Sequence, residues 1–375
     1  MREINIAQVL VRMRREKGIT QEELASFIGV TKASVSKWET GQSYPDVTFL
    51  PQLAAFFNIS IDRLMDYHPQ LTHADIRKLY LSLSADFATK TPAAVFNRCR
   101  QALRKYYSCY PLLLQIGILY VNHTELAGSP ENQQSLLSEA KALFQRIRLE
   151  SDDLTLAQQA RYLEALCELN QGNSGVVLDL LGEAVQPKLP PEPLIAAALQ
   201  GKGRTADATA VLQAGAYQGM VILFTNLCAT LNLCLDDPPR FAFTLARAQA
   251  LADVFALDKL HPSVLAGLYL TGAMGYQQQG NTESALAMLT RYTDTVTGDI
   301  YPLKLKGDDF FNQIDPWLET LDLGTGLPRD ECTIRRSMVA SVSQNPAFAA
   351  LADFPAYRAL LARLKTLEPD PATEK

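Results

Sequence analysis

The chain has little of what marks most enzymes and metalloproteins. Its 375 residues include only four histidines, His68, His73, His123 and His261, and none stands in a hydrolase or metal motif such as HExxH. No catalytic, metal-binding or cofactor-binding set is therefore expected, and an enzyme is the least favoured class. The six cysteines, Cys99, Cys109, Cys167, Cys228, Cys234 and Cys332, include no CxxC pair and no disulfide framework. They read as small apolar fillers between helices in a reducing compartment. The opening segment MREINIAQVLVRMRREKG has no apolar core of signal-peptide length, and no stretch approaches a membrane span, which points to a cytoplasmic protein without membrane partners. Gly324 and Gly326 lack the third glycine and the preceding strand of a phosphate loop.

Positive charge is also scarce. The net charge is −5, and residues 1–68 carry eight basic against eight acidic side chains, which leaves 27 against 32 in the remainder. An acidic body is repelled by phosphate, so any contact with nucleic acid has to be local to the amino-terminal segment. What the chain does have is an ordinary globular composition, 47% hydrophobic and 20% charged, at a length that suggests about two or three domains.

Ile6, Val9, Leu10 and Met13 recur at three and four residues, the stripe of an amphipathic helix that ends near Gly18. Thr20 with Glu23 forms a capping box for a second helix, with Leu24, Ala25 and Ile28 inward and Gly29 at its end. Thr31 caps a third, in which Val35 and Trp38 point to the core while Lys32, Ala33, Ser34, Ser36 and Lys37 lie on or beside the outer face. Short and cationic side chains suit close approach to a DNA groove. Asp46 is expected to start a fourth helix and Ser60 a fifth.

The stretch ITQEELASFIGVTKASVSKWETGQSYPDVTFLPQLAAFFNISIDRLM resembles the Cro/cI, or XRE, family of bacterial helix-turn-helix regulators over about residues 4–67. The resemblance implies a lambda-repressor-like five-helix domain whose recognition helix, residues 31–40, enters the major groove of an operator. Lys32, Ala33, Ser36 and Lys37 match its base-reading positions, and Thr31 and Ser34 match phosphate-facing ones. Gln21 matches the residue that binds a phosphate and braces the recognition helix. Gln42, Ser43 and Tyr44 lie in the loop that follows the backbone, and Arg14 with Glu39 matches a buried pair. Relatives often carry glutamine at the positions of Lys32, Ala33 and Lys37, so the operator sequence is not transferable. Arg12 and Arg15 either touch phosphates or only solubilise the first helix.

A proline-containing segment, residues 68–72, separates this domain from a region that reads as helical throughout. In AMGYQQQGNTESALAML, Ala273, Tyr276, Gly280 and Ala285 keep the spacing of a tetratricopeptide repeat. Ala165, Gly172 and Val177 share the frame, as do Ala196, Leu199, Gly203 and Ala208, and Gly117 with Tyr120 opens a more divergent copy. The expected organisation is thus all-α: residues 1–67 for DNA, 68–72 as linker, 73–298 as a tetratricopeptide-like solenoid, and 299–375 as a helical cap covering an end of it.

This architecture resembles the RRNPP group of peptide-responsive regulators. The resemblance implies a sequence-specific regulator that binds a (pseudo)palindromic double-stranded DNA operator as a homodimer. Its solenoid would dimerise and take a peptide or protein effector. A protein-interaction scaffold, whose first domain contacts protein rather than DNA, is the alternative. Asn122, Asn226 and Asn281 read as loop or capping residues as readily as peptide clamps.

Overall fold

The structure is a computed structural model that describes residues 5–67, 70–185, 187 and 189–367. His68 and the end of the expected cap lie outside them. Among the described residues there is no strand. The chain separates into two compact units, one of residues up to 72 together with 104–112, the other of 73–103 and 113 onward.

The first unit carries α1 (Ile6–Glu16), α2 (Gln21–Ile28), α3 (Lys32–Glu39), a 3-10 turn (Val47–Phe49), α4 (Leu50–Phe57) and α5 (Ile61–Met65). Local chemistry sets these limits. The Thr20 hydroxyl accepts from the Glu23 amide at 3.2 Å while the Glu23 carboxylate accepts from the Thr20 amide at 2.7 Å, satisfying two donors that the first turn of α2 leaves open. Thr31 and Ser60 cap α3 and α5 in the same way, each accepting at 3.2 Å. The fourth helix starts later than Asp46. That residue caps the 3-10 turn through the Thr48 amide at 2.9 Å, and Pro51, with no N–H to give to the Val47 carbonyl, delays the α-helical ladder to Leu50. Leu10, Leu24, Val35, Trp38, Leu53 and Leu64 close the core, each 5% exposed or less.

The remaining helices are α6 (His73–Thr89), α7 (Pro92–Lys105), α8 (Tyr110–Asn122), α9 (Pro130–Glu150), α10 (Leu154–Asn170), α11 (Ser174–Leu181), α12 (Glu192–Gly201), α13 (Thr205–Asn232), α14 (Pro238–Val254), α15 (Leu257–Leu260), α16 (Pro262–Gln278), α17 (Thr282–Val296), α18 (Asp315–Leu318), α19 (Glu331–Ser343) and α20 (Pro355–Lys365). Consecutive helices pack as pairs, α10 on α11, α12 on α13 and α16 on α17. The three glycines expected to turn the chain do so identically. Gly172, Gly203 and Gly280 have φ of 83°, 73° and 73°. The amide after each bonds back five residues, Asn173 to Glu168, Arg204 to Leu199 and Asn281 to Tyr276, all at 2.9 Å. This is the Schellman closure, which needs a left-handed residue at the helix end. Ala165, Ala273 and Ala285 are buried at 1%, 0% and 0%; such small residues are what let paired helices approach.

Two expectations are corrected. No stretch was expected to approach a membrane span, yet α13 is one continuous helix of 28 residues that meets the length and apolarity of one. Its polar Gln213, Gln218 and Asn226 are spread along the helix and mask that length in the sequence. Tyr217, Met220, Phe224 and Leu231 of α13 join the main core.

The second concerns residues 299–328, a segment rich in Pro, Gly and aromatic residues that departs from the repeat and was expected to cover a solenoid end. Only α18 is helical there, and the segment runs through the second unit instead. Phe311, Ile314 and Leu318 enter the main core, and Gln213 of α13 holds the Phe310 carbonyl and the Gln313 amide at 2.7 and 2.8 Å. Further on, Arg77 of α6 donates to the carbonyls of Glu319, Leu321 and Asp322 at 2.8, 2.5 and 3.0 Å. Gln115 of α8 holds the Asp322 carboxylate at 2.7 Å, and Tyr80 and Ser84 both donate to the Pro328 carbonyl at 3.1 Å. The segment carries few apolar repeats but many free carbonyls, and side-chain donors on distant helices satisfy them.

Two glycines of α16 give opposite expectations. A Cβ on Gly275 would stand 2.2 Å from the Phe241 ring of α14, whereas one on Gly267 meets nothing within 4 Å. Gly267→Ala should gain up to about 1 kcal/mol from helix propensity. Gly275→Ala should lose about 1–3 kcal/mol, because overpacking exceeds that gain. Urea unfolding of both variants checks this, and equal stabilisation would refute the close contact.

Candidate nucleic-acid interface

The outward face of α3 starts from its cap. The Thr31 hydroxyl lies 2.9 Å from that of Ser34 as well as capping the helix, and both residues sit at its amino-terminal end. Lys32, Ala33 and Lys37 are exposed, while Ser34 and Ser36 are half-buried beside them. At the other end Gly41, at φ 70°, closes α3. The Gln42 and Ser43 amides bond back to the Lys37 carbonyl at 2.9 and 3.3 Å. This places Gln42, Ser43 and Tyr44 at the surface immediately after the helix, Tyr44 at 54% exposure. The structure thus gathers nine of the ten expected contact residues on one helix, its cap and the loop after it.

The tenth, Gln21, stands at the first position of α2 and is half-buried. Its side-chain amide donates to the Glu39 carboxylate at 2.8 Å, which braces α2 against α3. The same carboxylate takes two bonds from the Arg14 guanidinium of α1, at 2.5 and 2.9 Å, and Arg14 also holds the Ile19 carbonyl at 2.9 Å. The side chains of Arg14 and Glu39 are 14% and 4% exposed. Burial alone would raise the Glu39 carboxyl, but the hydrogen bonds from Arg14 and Gln21 and the charges of Arg14 and Arg15 hold it below its usual range. The Arg14 guanidinium is raised, first by its hydrogen bond to Glu39.

Two neighbours were not visible in the sequence. Glu22 of α2 lies 3.4 Å from the Lys32 ammonium, both well exposed. A surface pair of this kind is worth at most about 1 kcal/mol, so it leaves Lys32 free to turn elsewhere at little cost. Lys17 donates to the Phe56 carbonyl at 2.6 Å and lies over the Phe56 ring at 4.4 Å, closing the end of α4. The partners are ten and 39 residues apart, and only the folded domain brings either pair together. Arg12 and Arg15 line a shallow cleft of about 440 Å³ with Gln8, Val11, Glu16 and Glu39.

Because Glu39 titrates lower in the folded than in the unfolded chain, its stabilisation is complete above an ordinary glutamate pKa of about 4.3. It fades as the pH falls through the lowered value. In a Trp317→Phe background, where Trp38 is the only indole, the urea midpoint of the first unit should fall on acidification below that range. Glu39→Gln should make the dependence shallower, with Glu23 and Asp46 supplying the rest; their carboxylates are lowered by backbone bonds from Thr20 and Thr48. Arg14→Ala should cost about 2 kcal/mol or more at neutral pH, less than the roughly 3–5 of a fully buried pair because Arg14 keeps some access to water. An unchanged midpoint in Arg14→Ala would refute the bracing role.

The amino-terminal sequence is similar to known helix-turn-helix proteins. Residues 10–64 match the helix-turn-helix family. The transcriptional activator BcrR of Enterococcus faecalis is 34% identical over 77 residues, 19% of this chain and 38% of its own length. The SPbeta prophage-derived uncharacterized regulator YonR of Bacillus subtilis strain 168 is 34% identical over 56 residues, 15% of this chain and 52% of its own. The chain therefore spans only about a third to a half of these relatives. Among solved structures, the apo competence regulator ComR of Streptococcus vestibularis aligns at 13% identity and a TM-score of 0.24, covering 78% of this chain and 91% of ComR. PlcR of Bacillus thuringiensis, in complex with the peptide PapR7 and DNA, aligns at 14% and 0.21, covering 77% and 94%. With its capped helices and the match over residues 10–64, the amino-terminal part of this chain is a helix-turn-helix domain, similar to those of the regulators BcrR and YonR.

Proposed function

We propose that this chain is a sequence-specific regulator in the cytoplasm, on the nucleoid when bound, that reads a (pseudo)palindromic operator as a homodimer. The observation that carries the reading is the outer face of α3. It offers a methyl at Ala33, ammonium groups at Lys32 and Lys37, and hydroxyls at Ser34 and Ser36, on a helix held rigidly from behind by Glu39. Small residues admit the base edges and the lysines supply donors, while Gln21, Thr31, Ser34, Gln42, Ser43 and Tyr44 meet phosphates. One such helix spans few base pairs, and two half-sites about one helical turn apart give the specificity that one lacks.

The acidic second unit is the proposed dimerisation and effector module, in which a peptide or a protein partner sets when α3 reaches DNA. What supports dimerisation is α11, none of whose residues is buried. Val176, Leu178 and Leu181 there are 40%, 48% and 42% exposed, and Leu194 and Ile195 of α12 are 78% and 46% exposed. Large apolar side chains left exposed on these two helices suit an interface, and we assign them to a second copy of the chain.

Lys37→Ala should weaken binding to the cognate duplex by about 1–3 kcal/mol and leave random duplex nearly unchanged, measured by fluorescence anisotropy at fixed salt. An equal loss on both would make Lys37 a phosphate contact, and no binding of the parent chain to any genomic duplex would favour the scaffold reading. Val176→Glu with Leu178→Glu should shift the chain from dimer to monomer in sedimentation velocity. Affinity for a paired site should fall while that for a half-site stays. A dimer that survives both substitutions places the interface elsewhere.

A further inference from the structure

α12 packs along α13 and stops early. It has ten residues against 28, about 15 Å against about 42 Å of helix. Its cover is visible at Ala208, 6% exposed. It ends near Gly215, where a Cβ would stand 2.7 Å from the side chain of Glu192, the first residue of α12. Beyond that point Gly219, Ile222, Asn226, Ala229 and Leu233, at spacings of three and four, continue the same face of α13, with Leu223 at its edge. All six are exposed. Ile222, Leu223 and Leu233 are exposed by 57%, 50% and 84%, and a Cβ on Gly219 would meet nothing within 4 Å. Asn226 thus stands neither in a loop nor at a cap but near the middle of the open stretch.

Residues 208–235 include no Asp, Glu, Lys or Arg. Two copies of an acidic unit repel one another, and across a twofold axis a charge can meet its own kind, so an uncharged face is where copies approach most easily. This face also complements itself. When two α13 helices lie antiparallel with the axis at Asn226, residues equally far on either side of position 226 oppose one another. Leu233 then meets Gly219, Leu223 meets Ala229 and Ile222 meets Thr230, in each case a large side chain against a smaller one. A parallel pair would instead set Gly219 on Gly219 and Leu233 on Leu233. At the axis Asn226 meets its own copy, and a side-chain amide both donates and accepts, so the two can pair. A single polar residue in an apolar seam is a known means of fixing register.

We propose that the uncovered face of α13 is the seam at which two copies of the chain pack, antiparallel about Asn226. The assignment rests on the homodimer reading above and gives that dimer its axis. Leu194 and Ile195, within one turn of Glu192 on α12, extend the seam at the end of the existing cover.

Full-length chains in which the two half-buried cysteines are replaced, Cys228→Ser and Cys332→Ser, are treated with a short bismaleimide. Asn226→Cys in this background should cross-link to itself. Gly219→Cys and Leu233→Cys should cross-link to each other when the two chains are co-expressed, and neither to itself when alone. Asn226→Asp, isosteric but charged, sets two carboxylates against each other at the axis and should weaken the dimer about tenfold or more in sedimentation velocity at neutral pH, with circular dichroism confirming an unchanged helix content. A monomeric parent chain would overturn the homodimer reading together with the seam. A dimer in which Asn226→Cys fails to cross-link, in which Gly219→Cys links to itself, or which Asn226→Asp leaves intact would keep the dimer and overturn the seam. Flotation of the parent chain with phosphatidylcholine vesicles would set α13 against lipid and overturn it as well.

Discussion

A carboxylate removed from water has to be surrounded by donors, and Glu39 draws them from two other helices. Arg14 reaches it from α1 and Gln21 from α2, and Glu39 itself is the last residue of α3. Three helices are thereby referenced to a single pair of oxygens. Val35 and Trp38 hold α3 to the core from one side, but apolar contact has little direction; the forked guanidinium has a great deal. The outer face of α3 is consequently released from any structural duty. It can carry an alanine, two lysines and serines whose only requirement is what they meet outside.

The same separation explains the charge of the chain. An excess of cations on the first unit would strengthen binding to every duplex alike. On the proposed reading, a neutral domain with only Lys32 and Lys37 of its eight cations on α3 limits that general attraction, and the acidic second unit lowers it further. Affinity would then rest on the geometry of a few side chains and on how many copies of α3 engage at once.

What was legible in the sequence was local. Thr20 with Glu23, Thr31 with Ser34, and the turns at Gly172, Gly203 and Gly280 are fixed by residues at most five apart, so their chemistry reads directly from the letters. The ten expected contact positions came from the resemblance to the Cro/cI family, and nine of them lie together on α3, its cap and the loop after it. The course of residues 299–330 was not legible, because its carbonyls are met by Arg77, Tyr80 and Ser84, and its Asp322 carboxylate by Gln115, more than 200 positions away. No periodicity encodes such a meeting. Continuity of α13 escaped for a different reason: glutamines and an asparagine interrupt its apolar residues without interrupting its backbone ladder.

The return of the chain at Pro328 and Arg329 onto α6 and α8 also bears on how the second unit comes into being. A stack of helical hairpins that touch only their neighbours can assemble progressively, from one end to the other, as it leaves the ribosome. Here the earliest helices of the unit lack part of their hydrogen bonding until residue 329 has been made. Contacts so distant in sequence slow the search for the native state. The unit should therefore acquire its final stability late and as a whole, and a chain interrupted before residue 319 would leave α6 and α8 with unmet donors rather than a shorter working solenoid.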